Sequence, residues 1–204
     1  MLPERPLRIV VTGFSGAGKS AVAPLVAQKL GWQVLDTDTL IEKAAGKTIA
    51  AIFRDDGEEK FRSLEADVVG QVVKQESVVV SSGGGALLLS ENRRMLAEGT
   101  FLVCLEARPE TILDRLKVEG KIDSSARPLL AGVDTLVRIR KLKDWRQPLY
   151  ALADWIVHTD GLEPSQVADE VVRAWQEISQ ICLADSHRLE AIVNQGIDVA
   201  IAPD

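Results

Sequence analysis

The feature that most constrains this chain is an eight-residue run, Gly13-Phe14-Ser15-Gly16-Ala17-Gly18-Lys19-Ser20, set between a short β-branched apolar run (residues 7–12) and a segment with helical spacing (Lys19–Leu30). It satisfies G-x-x-x-x-G-K-[ST] in the context that the pattern requires, a buried strand before it and a helix after it. The glycines let the backbone curl until successive N–H groups point inward at phosphate oxygens. The helix start adds a partial positive charge. Lys19 is placed to reach the β- and γ-phosphates, and the Ser20 hydroxyl to ligate Mg²⁺. A chance glycine-rich turn would not carry both flanking elements. The chain is therefore expected to bind a nucleoside triphosphate, ATP with Mg²⁺, and Gly16, Ala17, Gly18, Lys19, Ser20 and Ala21 are the expected contacts. GTPases, ATPases and small-molecule kinases all use such a loop, so it leaves the phosphoryl acceptor open.

The rest of the chain alternates strand and helix. Strands are expected at residues 7–12, 33–35, 77–82, 101–105 and 155–158, the third carrying Val78-Val79-Val80. Helices are expected at Lys19–Leu30, 39–45, 48–54, 58–75, 91–97, 109–116, 134–152 and 164–181. Pro24 predicts a kink in the first helix, and Pro148 a bend or end in the seventh. Residues 117–126 are polar, contain Gly120 and Ser124-Ser125, and read as a loop. Five such alternations predict a three-layer α/β/α domain around a five-stranded parallel sheet. No internal repeat or boundary shows before about residue 180. Beyond it Leu189, Ile192 and Val193 keep helical spacing, Asn194-Gln195-Gly196 breaks it, and Ile197, Val199 and Ile201 alternate like a strand. A packed helix with a frayed end and a linker to a further domain or partner are both open readings of this extension, residues 181–204.

Ligands of open parallel sheets sit at the carboxyl ends of the strands. Three features fall on that rim: the phosphate loop, Asp36-Thr37-Asp38 after the second strand, and Gly83-Gly84-Gly85 after the third. Two carboxylates two residues apart at a strand end project in similar directions. One could serve a magnesium shell and the other a substrate hydroxyl. Asp38 or Thr37 could equally cap a helix. The glycines fit either close approach to a ligand or a flexible turn. Arg62 with Glu65 three residues on has the spacing of a surface ion pair, and Arg127 and Arg146 do not stand out individually.

A formal net charge of −6 argues against wholesale nucleic-acid binding, which needs a dense basic footprint. No apolar run approaches the roughly 20 residues that span a bilayer, and residues 1–8 do not resemble a signal peptide. Cys104 and Cys182 have no CxxC spacing and read as reduced packing thiols. A cytoplasmic monomer, with no nucleic-acid or membrane partner, is the expectation.

Taken together, these motifs resemble the shikimate kinase family over residues 7–178, within the nucleoside-monophosphate-kinase-like P-loop fold. The ordered set is the phosphate loop, Asp36-Thr37-Asp38, Phe61-Arg62 with Glu65, Gly83-Gly84-Gly85, Arg127-Pro128-Leu129-Leu130 and Arg146-Gln147-Pro148-Leu149-Tyr150. The resemblance implies ATP-dependent phosphorylation of shikimate at its 3-hydroxyl. It implies that Asp38, Arg62, Arg146 and the backbone of Gly84 and Gly85 hold shikimate, with Asp38 orienting the attacking hydroxyl and the two arginines clamping the carboxylate. Asp36 would support Mg²⁺ beside Ser20. Lys19 and Arg127 would stabilise charge on the phosphoryl group, and Arg115 would stack on adenine. A lid is implied near residues 117–127, within a kinase domain spanning residues 1–180. Ser15 stands where family members often have Met, and the lid is extended. Two other functions remain in view: a P-loop kinase for another hydroxy acid such as gluconate, and a non-catalytic nucleotide-binding module.

Overall fold

A computed structural model of the chain describes residues 6–120 and 134–194. Five strands, β1 (Arg8–Gly13), β2 (Gln33–Asp36), β3 (Val78–Ser81), β4 (Thr100–Glu106) and β5 (Trp155–His158), form one parallel sheet in the order β2-β3-β1-β4-β5. The phosphate-loop strand is thus central, paired with β3 on one side and β4 on the other. Strand order reverses at β1, which puts a ligand crevice at its carboxyl end.

Helices α1 (Lys19–Leu30) and α8 (Pro164–Asn194) cover one face. Helices α4 (Gly57–Val72), α5 (Ser90–Ala97), α6 (Pro109–Val118) and α7 (Thr135–Tyr150) cover the other, and α2 (Thr37–Ala45) and α3 (Ile49–Asp55) pack on α4. The sheet's period-2 alternation divides the core. Ile9, Val11, Val103 and Leu105 face Val22, Val26, Val171 and Trp175, while Val10, Val80, Leu102 and Cys104 face Phe61, Val68, Leu96 and Ile139. Trp32 and Trp175 meet edge to face at 5.0 Å, and the Trp175 indole donates to the Pro6 carbonyl.

Several boundaries differ from the sequence reading. Helix α1 is not among them: it keeps the expected bounds Lys19–Leu30, with Pro24 inside it removing the bond to the Ser20 carbonyl. Helix α2 starts at Thr37, two residues early, because Asp36 caps it: its Oδ1 accepts from Thr39 N at 3.0 Å. Helix α6 extends to Val118, into the expected loop. A 3₁₀ turn at Ala86–Leu88, absent from the sequence reading, follows the three glycines. Pro148 lies in the last turn of α7, which ends two residues later. Helix α8 continues unbroken past residue 180 to Asn194. Most of the expected lid, including Arg127, lies outside the described residues. No helix among the described residues is long and apolar enough to cross a membrane.

Gly13 shows how tightly the central strands are closed. It pairs with Leu105, has φ of 132°, and a Cβ there would lie 2.3 Å from the Leu105 carbonyl oxygen. Gly13→Ala is therefore expected to lower unfolding free energy by about 3 kcal/mol, combining a backbone L-residues avoid with overpacking against main chain. Urea denaturation measures it, and a loss under about 1 kcal/mol would mean that the strand end yields at small cost.

Candidate active site

The phosphate loop links β1 to α1. Gly18, with φ of 104°, occupies the N-cap position of α1, a left-handed conformation that a side chain would oppose. Lys19 is nearly buried, and its ammonium donates to the carbonyls of Gly13 at 2.9 Å and Phe14 at 3.0 Å. The lysine head thus lies inside the loop. The Arg115 guanidinium braces the loop from α6, donating to Ala17 O at 3.2 Å and to Thr159 Oγ1 and O at 2.9 and 2.7 Å. These bonds place Arg115 beside the nucleotide loop and hold its plane.

The three glycines after β3 are where the site converges. None has a positive φ, so space and not conformation requires glycine there. A Cβ on Gly83 would lie 2.7 Å from Asp38 Oδ1 and 3.3 Å from Glu65 Oε1. One on Gly84 would lie 3.4 Å from Ser15 N and 3.8 Å from Arg146 Nη1, and one on Gly85 would lie 2.9 Å from Arg62 Nη1. Each glycine therefore gives way to a different predicted site residue, and Gly84 touches the phosphate loop as well. Thr37, fully buried, anchors this turn by accepting from Gly83 N at 2.9 Å. Arg146 and Tyr150 both donate to the Gly84 carbonyl, at 3.1 and 3.0 Å. Arg146 also lies over the Phe14 ring, 5.6 Å from its centroid.

Arg62 and Glu65 are not a surface pair. Arg62 is 13% exposed and Glu65 1%, with Nη1 to Oε2 at 2.7 Å, and Glu58 holds the outer edge of the guanidinium. Burial raises the Glu65 carboxyl above its usual range. Arg62 opposes that shift, and Asp38 adds to it. Glu65 Oε1 and Arg146 Nε are buried without protein partners. Burial lifts the Tyr150 hydroxyl to about 12, so it stays a donor. Burial also pushes the Cys104 thiol up to about 12, which suits a packing residue rather than a nucleophile.

Asp36 and Asp38 do not share a direction. The chain changes from strand to helix at Thr37, so the period-2 rule that aligns residues two apart stops applying between them. Asp36 lines a pocket of about 310 Å³ with Ser20, Pro24, Thr39 and Leu40, whereas Asp38 faces Gly83 and Glu65. Asp36 is also the helix cap, a role the sequence reading gave to Asp38 or Thr37. Ser20 and Asp36, a hydroxyl and a carboxylate on one pocket, are the oxygen donors expected for Mg²⁺ shared with a nucleotide. Among the described residues, no cluster of three His, Cys, Asp or Glu side chains forms a cage for a metal.

Thr37, Tyr150 and Thr159 were missed as supporting residues. Tyr150 carries a faint signal, lying four residues after Arg146 and so on the same helix face. Thr37 and Thr159 carry none, because their partners are 46 and 44 residues away.

A family model described as "Shikimate kinase" matches residues 15–176. The chain belongs to the shikimate kinase family. The shikimate kinase of Symbiobacterium thermophilum is 42% identical over 172 residues, covering 84% of this chain and 97% of that one. That of Thermodesulfovibrio yellowstonii is 37% identical over 171 residues, covering 84% and 96%. Among solved structures, the shikimate kinase of Acinetobacter baumannii in complex with shikimate superposes with a TM-score of 0.76 at 31% identity, covering 81% of this chain and 90% of that one. Membership of the shikimate kinase family makes ATP the co-substrate.

Proposed function

We infer that this chain transfers the γ-phosphoryl group of ATP to the 3-hydroxyl of shikimate, giving shikimate 3-phosphate and ADP. Family membership supports the reaction. The observation that carries the residue assignment is the convergence of Asp38, Arg62 and Arg146 on residues 83–85, one turn that also touches the phosphate loop. An acceptor there would present its carboxylate to Arg62 and Arg146, and a ring hydroxyl to Asp38. Asp38 orients that hydroxyl and takes its proton as the new P–O bond forms and the bond to the β-phosphate oxygen breaks. Lys19, and Arg127 from the segment outside the described residues, balance charge on the phosphoryl oxygens. Arg115 holds the adenine side. Ser20 and Asp36 would hold Mg²⁺, which when bound neutralises phosphate charge. All of these residues lie on one chain, so the reading needs no second subunit, and we take the protein to work as a monomer in the cytoplasm. It also assigns the reaction to the domain of residues 1–180, with a lid near 117–127 that excludes water.

ADP release measured with shikimate, gluconate and no acceptor tests this directly. Saturable turnover with shikimate alone is expected. Preference for gluconate would establish the other hydroxy-acid reading, and tight ATP binding without acceptor-dependent ADP would establish a non-catalytic module.

Arg62→Ala should raise KM for shikimate about 30-fold, the loss of a charge-assisted bidentate contact. The kcat should change less, since the clamp acts before and during transfer alike. An unchanged KM would remove Arg62 from the clamp.

A further inference from the structure

We propose that the largely buried ion pair between Lys143 and Glu106 is a positioning device for the acceptor site: it fixes α7 against the phosphate-loop rim and so sets Arg146 and Tyr150 on Gly84. This rests on the reading above that Arg146 holds the acceptor carboxylate.

Glu106 is the last residue of β4, directly after Leu105, the partner of Gly13. It is held there by its own main chain, whose carbonyl accepts from Thr159 N at 2.8 Å and Thr159 Oγ1 at 3.2 Å. It therefore belongs to the most constrained part of the sheet, beside the loop that holds the nucleotide. Lys143 belongs to α7. Its ammonium bonds the Glu106 carboxylate and reaches Gln147 Oε1 at 3.4 Å. Arg146 and Tyr150 lie three and seven residues further on, so all three side chains share one face of the helix. Ile139, one turn before Lys143, is also buried on that face. Lys143 is thus a polar tether in a line of packing residues, with the two Gly84 donors immediately beyond it.

Both partners are withdrawn from water, with side chains 15% and 7% exposed. Desolvation opposes placing two charges there, and an apolar pair of similar volume would hold the helix as well or better. What an ion pair adds is direction and register. That matters here because Pro148 removes the helical bond to the Asp144 carbonyl, within the turn that carries Arg146. The tether lies just before that missing bond and the Gly84 contacts lie just after its start. Gly84 in turn abuts Ser15 N and Gly13 O. The chain thus closes a loop from the β4 end through α7 to residues 83–85 and back to the phosphate loop. Slack in α7 would misplace the acceptor clamp while leaving the nucleotide loop, anchored separately by Arg115, in place.

The test compares Lys143→Met, the neutral pair Lys143→Met with Glu106→Gln, and Lys143→Arg in the full chain, with KM determined for each substrate and melting temperature recorded. Lys143→Met is expected to raise KM for shikimate about tenfold, because small displacements of a positioning group are costly, and to leave KM for ATP within about twofold. The double variant, which leaves no unpaired buried charge, should show the same split even if the single variant folds poorly. Lys143→Arg should return KM for shikimate to within about threefold of the parent, since it keeps the cation. A lowered melting temperature with both KM values unchanged would make the pair merely structural and overturn the proposal. Equal rises in both KM values would assign the pair to the nucleotide loop and overturn it too. Absence of shikimate turnover in the parent chain would instead defeat the functional reading itself.

Discussion

Replacing Lys19 by alanine is expected to lower kcat with shikimate and ATP by about 10³-fold, or about 4 kcal/mol of transition-state stabilisation. The lysine head lies within the curl of the loop, on the Gly13 and Phe14 carbonyls, and it is nearly buried. A cation in so little water acts on phosphoryl oxygens with a strength that solvent would otherwise screen. Phosphoryl transfer demands little covalent chemistry from the protein, so charge placed in this way is a main source of rate. Single-turnover measurements at saturating ATP separate this loss from weakened nucleotide binding. A fall of less than tenfold would mean that Lys19 serves the resting loop, through its two carbonyl contacts, more than the transferring group.

Asp38→Asn should reduce kcat by about three orders of magnitude, the upper part of the range for losing a positioned general base. The amide keeps the size and one acceptor oxygen, so KM for shikimate should move little. The same change should leave the protein as stable as before or more so. Asp38 faces Gly83 and contributes to raising the carboxyl of buried Glu65. Removing its charge relieves a like-charge repulsion between neighbouring acids. Loss of activity with retained or improved melting temperature is the signature of a residue kept for function at some cost to stability. A kcat within tenfold of the parent would show that the hydroxyl needs no base at this position. A large fall in melting temperature would instead show that Asp38 is structural.

Much of this was legible in the chain because it is local. The loop needs its glycines, lysine and serine within eight consecutive residues, and each adjoining element announces itself by period and by turn residues. Lys19–Leu30 and Trp155–His158 match the sequence reading residue for residue. The boundaries that moved did so where more than one local reading was open, as with the three residues that could cap α2. Asp36 took the cap of α2 because the strand ends there, and α8 ran on past residue 180 as one helix.

The candidate acceptor site was legible only in part. Gly83-Gly84-Gly85 also reads as a flexible turn until Asp38, Arg146 and Arg62 are seen to fill the space its missing side chains leave. Arg62 with Glu65 has the spacing of a solvated pair, and burial alone turns it into a site element. Asp36 and Asp38 look like twins in sequence, yet a change of backbone period between them sends one to the Ser20 pocket and the other to the glycine turn.

The phosphoryl donor, the parallel α/β architecture and, through the ordered motifs, the family can therefore be read from the chain alone. Each of these rests on residues close together in the chain or on their order along it. Packing between distant parts of the chain decides that four segments meet at residues 83–85, that Thr37 and Tyr150 hold them there, that Thr159 braces Arg115 beside the phosphate loop, and that Lys143 is tied to Glu106. Those depend on which side chains share a buried volume, a quantity fixed by packing across separations of 37 to 66 residues and not by any local pattern.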